Sequence, residues 1–262
     1  MRIVFANEKG GCGKTTLAVN VAAGLAHAGK KVLLLDTDAQ GHSTLLCGHQ
    51  KAPGFYDLMV RNAPFSQVTK LVSREVYEIP GSEVKGELFL IPSNIESGSI
   101  SEKTSDLYAL KDRLEELDGL IDEVVIDTSP TSTYLHGAIY LAAHALLIPV
   151  MLDAFNFDGM LETIRRTEQS YIQREGSGLR LAGIVPVAYN KRFKEQESNL
   201  EELRAVYGNQ VWDPMPYSAM WGRAIQRSQT VFATAPNTRA ALDATKLVAR
   251  VFAEVIYGKK ER

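Results

Sequence analysis

The stretch NEKGGCGKTT, residues 7–16, combines glycines and lysines at the spacing of a phosphate-binding loop. Gly10, Gly11 and Gly13 permit backbone torsions closed to other residues, so that main-chain N–H groups converge on an anion. A helix that starts at the end of the loop adds the positive end of its dipole. The chemistry that these residue types predict is the binding of a nucleotide's phosphates.

The residues beside the glycines supply the other groups that a nucleotide and its metal ion require. Lys14 is expected to neutralise oxygens of the β- and γ-phosphates, and the Thr15 hydroxyl to ligate Mg²⁺, which prefers oxygen ligands. Thr16 is expected to hold the α-phosphate through its hydroxyl and amide. Cys12 fills the free position of the loop, and a small side chain with its amide turned to phosphate is favoured there over thiol chemistry. The alternative, a glycine turn before a helix with a surface lysine, leaves the full Gly-Lys-Thr-Thr order unexplained.

The loop departs from the usual pattern G-x-x-x-x-G-K-[ST] at its first position. Counting back from Gly13, the first glycine of that pattern would stand at position 8, where this chain has Glu8. The next residue, Lys9, is a second lysine. Neutralisation of the phosphates explains one lysine in the loop, but it does not explain why the loop has a second lysine.

Two apolar runs end in carboxylates of the kind that a site for a metal and a nucleotide needs. The run VLLLDTDAQGHST delivers Asp36 and Asp38, and EVVIDTSP delivers Asp127. Asp127 ends a strand-like run, which is how a Walker B acid is presented. Each acid taken alone is also compatible with capping the next turn. Their occurrence together with the glycine loop favours the metal site.

Short apolar runs alternate with helical patterns along the chain. The runs predict strands at 2–6, 30–36, 87–93, 123–130, 145–150 and 179–189. Helical patterns lie at 15–29, 106–119, 157–174, 194–208 and 236–257, the last with an apolar stripe of Val248, Val251, Phe252, Val255 and Ile256. The segment 49–86 is the least regular.

This alternation predicts an α/β fold with a mainly parallel, twisted sheet flanked by helices on both faces, the architecture of a P-loop NTPase. Ligands of such sheets bind beyond the carboxyl ends of the strands. The glycine loop follows the first strand, which is the right place. No linker rich in Pro, Gly or Ser divides the chain, so we expect one domain over residues 1–262.

Composition restricts the possible partners and the compartment. The net charge of −2 provides no global attraction to nucleic acid or anionic lipid, so such binding would need a local patch. Two cysteines, Cys12 and Cys47, fit a reducing cytosol better than a disulfide framework. No apolar run approaches the roughly 20 residues that span a bilayer, and the first six residues are too short for a signal peptide. We therefore expect a cytoplasmic protein.

Several motifs carry a family resemblance. KGGCGKTT resembles the deviant Walker A box of the ParA/MinD superfamily of P-loop ATPases, which reads K-G-G-x-G-K-T-[ST]. VLLLDTDAQGHST is similar to the ParA segment D-x-D-P-Q-G-x-x-T, with Ala39 in place of the common proline, and VVIDTSP resembles the family's Walker B. FYDLM, LFLIPSN, ALLIPV and GIVPVAYNKR resemble segments at corresponding places in small ParA proteins. The similarity spans about residues 2–255 and is loosest in the C-terminal third.

The resemblance implies a role for the second lysine. Lys9 matches the signature lysine, which in this family crosses a dimer interface to the phosphates bound by the other subunit. Lys14 matches the ordinary Walker lysine. A cation that reaches its partner's phosphates stabilises the pair of subunits only while the nucleotide is present. ATP with Mg²⁺ is thus expected to switch this chain into a homodimer.

The resemblance also implies roles for residues outside the loop. Asp38 matches the acid that positions or activates the attacking water, and Asp127 the acid that holds the Mg²⁺ shell. With Thr15, these two acids form the predicted metal site. Asn190 and Pro216 match positions near the adenine. Because no residue is recognisable as an arginine finger, we expect slow hydrolysis that a partner protein accelerates.

The implied function is that of a positioning or segregating ATPase. Such proteins bind nucleoid DNA non-specifically as the ATP dimer, and a ParB-like protein or cargo adaptor stimulates hydrolysis. The cargo would be a plasmid, a chromosome origin or a large protein assembly. Candidate cations for the DNA phosphates are Lys191, Arg192, Lys194, Arg223, Arg227, Arg239, Lys246 and Arg250.

One segment departs from the family pattern near this surface. Where many relatives read IPRxVRxxEAP, this chain reads MPYSAMWGRAI. Tyr217 and Met220 therefore stand at the two arginine positions, and Arg223 at the glutamate. A shift of the basic patch is the expected consequence.

Two alternatives of other classes are less favoured. A MinD-like membrane regulator would need a basic amphipathic tail, whereas the terminal stripe is better explained by packing and GKKER lacks apolar residues. An ATP-gated protein scaffold is the related alternative. A reductase similar to the nitrogenase iron protein would need cluster cysteines, but Cys12 lies in the loop and Cys47 follows the Asp38 segment.

Overall fold

A sheet of seven strands is the centre of the computed structural model, which describes residues 1–130, 134–153, 161, 164–165, 167–172 and 178–258. The strands are β1 (Arg2–Phe5), β2 (Lys31–Asp36), β3 (Lys70–Leu71), β4 (Glu87–Ile91), β5 (Glu123–Asp127), β6 (Ala145–Met151) and β7 (Arg180–Val187). Their order across the sheet is β3-β4-β2-β5-β1-β6-β7. All neighbours pair in parallel except β3, which is antiparallel to β4. The predicted α/β fold with a mainly parallel sheet is confirmed.

The six strands predicted from the apolar runs all occur, each within three residues of its expected limits. The short edge strand β3 was not predicted. Its two residues, Lys70 and Leu71, are both exposed, so no apolar pattern marks them. It lies in the segment 49–86, where the sequence pattern is least regular.

Helices connect the strands. Within the described residues the α-helices are α1 (Lys14–His27), α2 (His42–Leu46), α3 (Gly54–Val60), α4 (Phe65–Val68), α5 (Arg74–Tyr77), α6 (Ile100–Lys103), α7 (Ala109–Glu115), α8 (Tyr134–Ala142), α9 (Lys194–Tyr207), α10 (Ala219–Gln226), α11 (Val231–Thr234) and α12 (Arg239–Arg250). Short 3₁₀ turns lie at Ile95–Ser99 and Gly208–Gln210, and π-helical turns at Glu168–Ile172 and Val251–Tyr257. Half of the predicted helix at 157–174 lies outside the described residues, and the helix predicted at 106–119 is shorter than expected.

Buried side chains of alternate residues cover both faces of the sheet. In β1, Ile3 and Phe5 pack into one core cluster, and Val4 packs into the other. Helix α1 lies in the first cluster against α12, so closely that a Cβ atom on Gly24 would clash with the Val248 side chain. Val251 and Val255 of the predicted apolar stripe are fully buried there. Packing therefore accounts for the stripe.

The strand order explains how distant parts of the sequence meet. Strand β5 lies between β1 and β2, and Asp127 is the register partner of both Phe5 and Asp36. The loop after β1 and the carboxylates that end β5 and β2 therefore share one edge of the sheet. In the described part of the chain, no helix combines the length and apolar character that a membrane span requires.

Candidate functional site

The glycine loop joins β1 to α1 in a conformation that two of its glycines make possible. Gly11 has φ 73° and Gly13 has φ 85°, a region that disfavours residues with a Cβ atom, whereas Gly10 is not among the glycines with positive φ. Asn7 anchors the start of the loop, because its Nδ2 donates to the Pro149 carbonyl at 2.7 Å. Its Oδ1 accepts from the main-chain N–H of Lys9 at 2.9 Å. The loop thus rests on β6.

The Walker lysine lies across the loop. Lys14 is only 7% exposed, and its Nζ donates to the Lys9 carbonyl at 3.0 Å. The Cys12 thiol is fully buried beneath and donates to the same carbonyl at 3.2 Å. Burial raises the pKa of Cys12, although the nearby Lys14 charge opposes the rise. A neutral, enclosed thiol agrees with a packing role for Cys12.

Asp127 gathers two hydroxyl groups from separate parts of the chain. Its Oδ2 accepts from Thr15 Oγ1 at 2.7 Å and from Ser43 Oγ at 2.8 Å. Thr15 belongs to the first turn of α1, so the structure brings two predicted metal-site residues into direct contact. Ser43, in α2, was not singled out from the sequence. The sequence pattern does not distinguish a serine that follows β2 as a site residue.

The second oxygen of Asp127 has an unusual environment. Oδ1 is buried and accepts no hydrogen bond from the described residues. Burial raises the pKa of Asp127 to about 6, and the hydroxyls of Thr15 and Ser43 oppose that rise. A carboxylate oxygen buried without a donor is costly unless a cation neutralises it. The position is therefore chemically suited to a cation.

Asp36 is a second buried carboxylate beside Asp127. Its Oδ2 accepts from the N–H of Thr44 at 2.8 Å and from the Thr44 hydroxyl at 2.7 Å, while Oδ1 accepts from the Asp38 N–H at 3.2 Å. Thr44 Oγ1 in turn accepts from the Ser93 N–H at 3.0 Å. Burial, followed by the charge of Asp127, raises the pKa of Asp36 to about 7. Asp36 thus organises the loop that carries Asp38.

Asp38 lies in that loop, largely buried, with 7% of its surface exposed. Its Oδ1 accepts from the N–H of Gln40 at 2.9 Å, and Gly41 follows with φ 59°. The charge of Asp38 contributes to the raised pKa of Asp127. Within the described residues no group of three or more His, Cys, Asp or Glu could hold a metal ion by itself. A metal here would need ligands from the hydroxyl and from a bound molecule as well.

Lys9 points to a partner in its own chain. Its Nζ lies 3.1 Å from Oδ2 of Asp153, and the two side chains are 34% and 39% exposed. Asp153 follows β6, the neighbour of β1 in the sheet. The sequence gave no indication of this ion pair, because the two residues are 144 positions apart.

A cavity of about 450 Å³ opens beside the loop. Gly11, Gly13 and Thr16 line one side, and further lining residues include Met151, Val187, Ala188, Met215, Pro216, Tyr217, Trp221 and Arg223. Its wall is mostly apolar and its phosphate-loop end is polar, as expected of a pocket for a flat ring attached to phosphates. The structure thus places Thr16 and Pro216, both predicted site residues, on one cavity.

A second cavity of about 550 Å³ adjoins the first. Pro216 and Tyr217 line both cavities, whereas Asn190 lines only the second. The Asn190 side chain turns back on its own loop, since Oδ1 accepts from the Arg192 N–H at 3.1 Å. The assignment of Asn190 and Pro216 to an adenine therefore stays a prediction.

The candidate basic residues separate into different surroundings. Lys191, Arg192 and Arg239 line the second cavity, and Arg239 also forms an ion pair with Asp243 at 2.9 Å. Arg223 lines the cavity beside the loop. Arg250 is half-buried over the Trp212 ring, 5.2 Å from its centroid, and donates to the Asn209 carbonyl. Lys194, Arg227 and Lys246 are exposed.

The strand–loop–helix unit, the lysine across the loop and the Thr15–Asp127 contact define a P-loop nucleotide-binding protein. A family model described as an AAA domain, AAA_31, matches residues 1–175. The chain is 31% identical over 220 residues to the chromosome partitioning protein ParA of Caulobacter vibrioides, covering 80% of this chain and 78% of that protein. It is 30% identical over 259 residues to the chromosome-partitioning ATPase Soj of Thermus thermophilus, covering 97% and 96%.

The fold is also that of solved relatives. The septum site-determining protein MinD of Pyrococcus horikoshii, in complex with Mg-ADP, superposes with a TM-score of 0.75 and 16% identity, covering 100% of this chain and 99% of that one. The chain belongs to the ParA/MinD superfamily of P-loop ATPases. The resemblance inferred from the deviant Walker A box is confirmed.

Proposed function

We propose that this chain, acting as one domain over residues 1–262, hydrolyses ATP with Mg²⁺ and uses the ATP-bound homodimer to position or segregate a cargo on nucleoid DNA in the cytoplasm. The observation that carries this proposal is the joint placement of Lys14, Thr15 and Asp127 at the carboxyl ends of adjacent strands. Family membership supports the ATPase activity, and the paired loop lysines support the dimer.

The residues present fit a magnesium ion and a triphosphate. The donor-free Oδ1 of Asp127 and the Thr15 hydroxyl, 2.7 Å from the other carboxylate oxygen, are oxygen ligands of the kind that Mg²⁺ prefers. When bound, the ion would neutralise charge on the β- and γ-phosphates. Lys14 has only a main-chain carbonyl and the Cys12 sulfur as partners within the described residues, so its charge is available to phosphate oxygens.

Hydrolysis breaks the bond between the γ-phosphorus and the oxygen that becomes part of ADP, as a water molecule supplies the new oxygen. In this proposal, Asp38 orients that water molecule and activates it by accepting its proton. Asp127 would hold the coordination shell of the Mg²⁺ ion. Asp38→Ala should therefore trap the ATP-bound dimer. Normal turnover by this variant, measured as phosphate release, would remove Asp38 from its catalytic role.

The dimer depends on Lys9 reaching the nucleotide of a second copy. Lys9→Ala is expected to bind ATP normally but to stay monomeric, because the lost cation contacts only the partner's phosphates. Light scattering with a slowly hydrolysed ATP analogue and Mg²⁺ tests this. A variant dimer that persists would contradict the assignment.

DNA binding would use cations outside the nucleotide pocket. Lys191, Arg192 and Arg239 are three candidate cations that line one cavity together with the exposed Tyr217. Retention on DNA at low salt should require ATP and be lost in Lys14→Ala and Asp127→Ala. If the ATP-loaded protein ignored DNA at low salt, the nucleoid part of the proposal would fail.

A partner protein would set the rate of hydrolysis, since no residue of the sequence is recognisable as an arginine finger. An ATPase assay with and without DNA and cell lysate, followed by capture of the component that raises the rate, identifies a ParB-like protein or cargo adaptor. The membrane-regulator alternative has less support, because the apolar stripe of the C-terminal helix is packed in the core. ATP-dependent sedimentation with anionic liposomes would restore that alternative.

A further inference from the structure

Two consecutive residues of helix α2 each bind one of the two buried carboxylates. The Thr44 hydroxyl donates to Asp36 Oδ2 at 2.7 Å, and the Ser43 hydroxyl donates to Asp127 Oδ2 at 2.8 Å. Asp36 and Asp127 are register partners at the ends of the adjacent strands β2 and β5. The Thr44 contact organises the loop that carries Asp38, whereas the Ser43 contact has no role in the function proposed above.

The Ser43 hydroxyl is committed to Asp127. The Ser43 side chain is fully buried, so bulk water does not compete for its hydroxyl. Within the described residues, the Thr15 hydroxyl is the only other group that donates to the Asp127 carboxylate. A hydrogen bond to an ionised carboxylate is roughly twice as strong as one between neutral groups. Ser43 is therefore one of two strong restraints on this carboxylate.

The two restraints act on the same oxygen of Asp127. Oδ2 accepts from both hydroxyls, whereas Oδ1 is buried and accepts from none of the described residues. The side-chain torsion that turns a carboxylate is broad, so torsional preference alone does not fix which oxygen faces which way. Hydrogen bonds must fix it, and here they leave Oδ1 as the oxygen suited to a cation.

We propose that Ser43 is a positioning residue that holds Oδ2 of Asp127 and thereby presents Oδ1 to the coordination shell of the Mg²⁺ ion. The inference rests on the proposed magnesium site and adds a residue that sets its affinity. Groups that hydrogen-bond a metal-binding carboxylate from outside the coordination shell orient it in this way.

Thr15 cannot supply this restraint alone, because its hydroxyl is itself expected to ligate the ion. Ser43 belongs to a different part of the chain, and its main chain is held without any nucleotide. The Ser43 carbonyl accepts from the Cys47 N–H at 3.0 Å, and the next residue, Thr44, donates its N–H to Asp36 at 2.8 Å. The Ser43 hydroxyl is thus in place before a nucleotide binds.

The test compares nucleotide affinities of full-length variants with and without Mg²⁺. A fluorescent ADP analogue is titrated in EDTA and in saturating Mg²⁺, and the ratio of the two dissociation constants gives the gain in affinity that Mg²⁺ produces. ADP keeps the measurement independent of hydrolysis and of the proposed dimer. In Ser43→Ala this gain is expected to fall about ten-fold, because losing such an outer hydrogen bond weakens metal affinity by about 10–100-fold.

A positioning role also predicts what stays unchanged in Ser43→Ala. Affinity in EDTA should equal that of the unmodified chain, because Ser43 bonds a carboxylate rather than the nucleotide. In ATP turnover, the Mg²⁺ concentration for half-maximal rate should rise, while excess Mg²⁺ should restore kcat. A general loss of structure would lower affinity in EDTA and kcat as well.

Ser97→Ala is the matched control, since it removes a buried serine hydroxyl that accepts from Ser93 Oγ at 2.8 Å, away from Asp127. It should gain as much affinity from Mg²⁺ as the unmodified chain. Ser43→Thr keeps the hydroxyl and should retain the full gain. If its added methyl group lowers the unfolding temperature in EDTA, the comparison of Ser43→Ala with Ser97→Ala decides.

The possible failures are distinguishable. An unmodified chain whose affinity for the analogue does not respond to Mg²⁺ overturns the proposed magnesium site and this inference with it. An unmodified chain that responds, combined with a Ser43→Ala variant that gains as much, overturns the inference alone. Equal weakening of Ser43→Ala in EDTA and in Mg²⁺ would also overturn it, because Ser43 would then act through packing. The same holds if Ser97→Ala loses as much of the gain as Ser43→Ala.

Discussion

The inner side of the phosphate loop and its outer edge hold their charges in opposite ways. On the inner side, Asp36 and Asp127 are fully buried and receive hydroxyl or amide donors at fixed positions. At the outer edge, Lys9 and Asp153 are about one-third exposed and contact each other. Burial makes an electrostatic arrangement strong but rigid, whereas exposure makes it weak and exchangeable. Chemistry fits the first region and association fits the second.

The contrast between the inner side and the outer edge of the loop would be wrong if Lys14 and Lys9 contributed equally to ATP affinity. Lys14→Ala is expected to lower affinity for ATP by about 100-fold, because hydrogen bonds to a charged group contribute about 1.5–3 kcal/mol. Lys9→Ala should bind ATP within about two-fold of the unmodified chain, since weak surface pairs contribute little. Titration with a fluorescent ATP analogue measures both. Similar losses in the two variants would mean that Lys9 serves the nucleotide of its own subunit.

The free-energy cost of burying the Asp127 carboxylate gives the next largest expected effect. A carboxyl whose pKa is raised to about 6 stabilises the folded chain at low pH, and this contribution disappears as the pH rises through that value. Without metal, Asp127→Asn should therefore match the unmodified chain near pH 4 and exceed its stability by about 2–3 kcal/mol near pH 8.

Thermal unfolding in EDTA at a series of pH values measures this difference, with about 2–4 °C expected per kcal/mol. Asp122→Asn, which removes an exposed carboxylate, is the control and should show no such pH-dependent gain. An Asp127→Asn variant that is less stable at pH 8 would show that the hydroxyl donors outweigh burial. ATP turnover should be lost in Asp127→Asn in either case, since the proposed metal ligand is gone.

Thr44 tests how far the rigid inner side controls turnover. Thr44→Val keeps the shape but removes the hydroxyl that bonds Asp36 and Ser93, so the loop carrying Asp38 loses its anchor. We expect kcat to fall about ten-fold, with KM nearly unchanged. Thr44→Ser should restore kcat because it restores the hydroxyl. A Thr44→Ser variant as slow as Thr44→Val would instead point to packing of the methyl group.

The smallest expected effect concerns the exposed cations and the salt dependence of DNA binding. Lys191→Ala and Arg192→Ala should each weaken binding to any DNA sequence and reduce the slope of affinity against salt by about one. Lys70→Ala, on the opposite edge strand β3, is the control and should leave the slope unchanged. Filter binding or fluorescence anisotropy over a salt series measures the slopes. A sequence-dependent loss would contradict phosphate contact.

The inner side was predictable from sequence because its information is local. The positions of Gly11, Gly13, Lys14 and Thr15 follow from one motif, and Asp127 follows from the end of an apolar run. Strand order then brings the run and the motif together, as a parallel sheet requires. The buried role of Asp36 was not predicted, since nothing in the run distinguishes an acid turned inward from one turned to solvent.

The outer edge was not predictable for a physical reason. Lys9 and Asp153 are 144 residues apart, and an exposed ion pair leaves no periodicity or composition signal. Strand β3, with two exposed residues, was missed on similar grounds. The base-side assignments of Asn190 and Pro216 came from resemblance. In the structure both residues line the second cavity, and only Pro216 also lines the cavity beside the loop.

The wall made by Pro216 and Tyr217 separates the cavity beside the loop from the one lined by Lys191, Arg192 and Arg239. The N–H of Tyr217 donates to the Tyr189 carbonyl at 3.0 Å, so this partition is fixed to the strand end behind it. A bulkier residue there would narrow one compartment while reshaping its neighbour. A substitution of Pro216 or Tyr217 that changes the shape of one cavity therefore changes the shape of the other cavity as well.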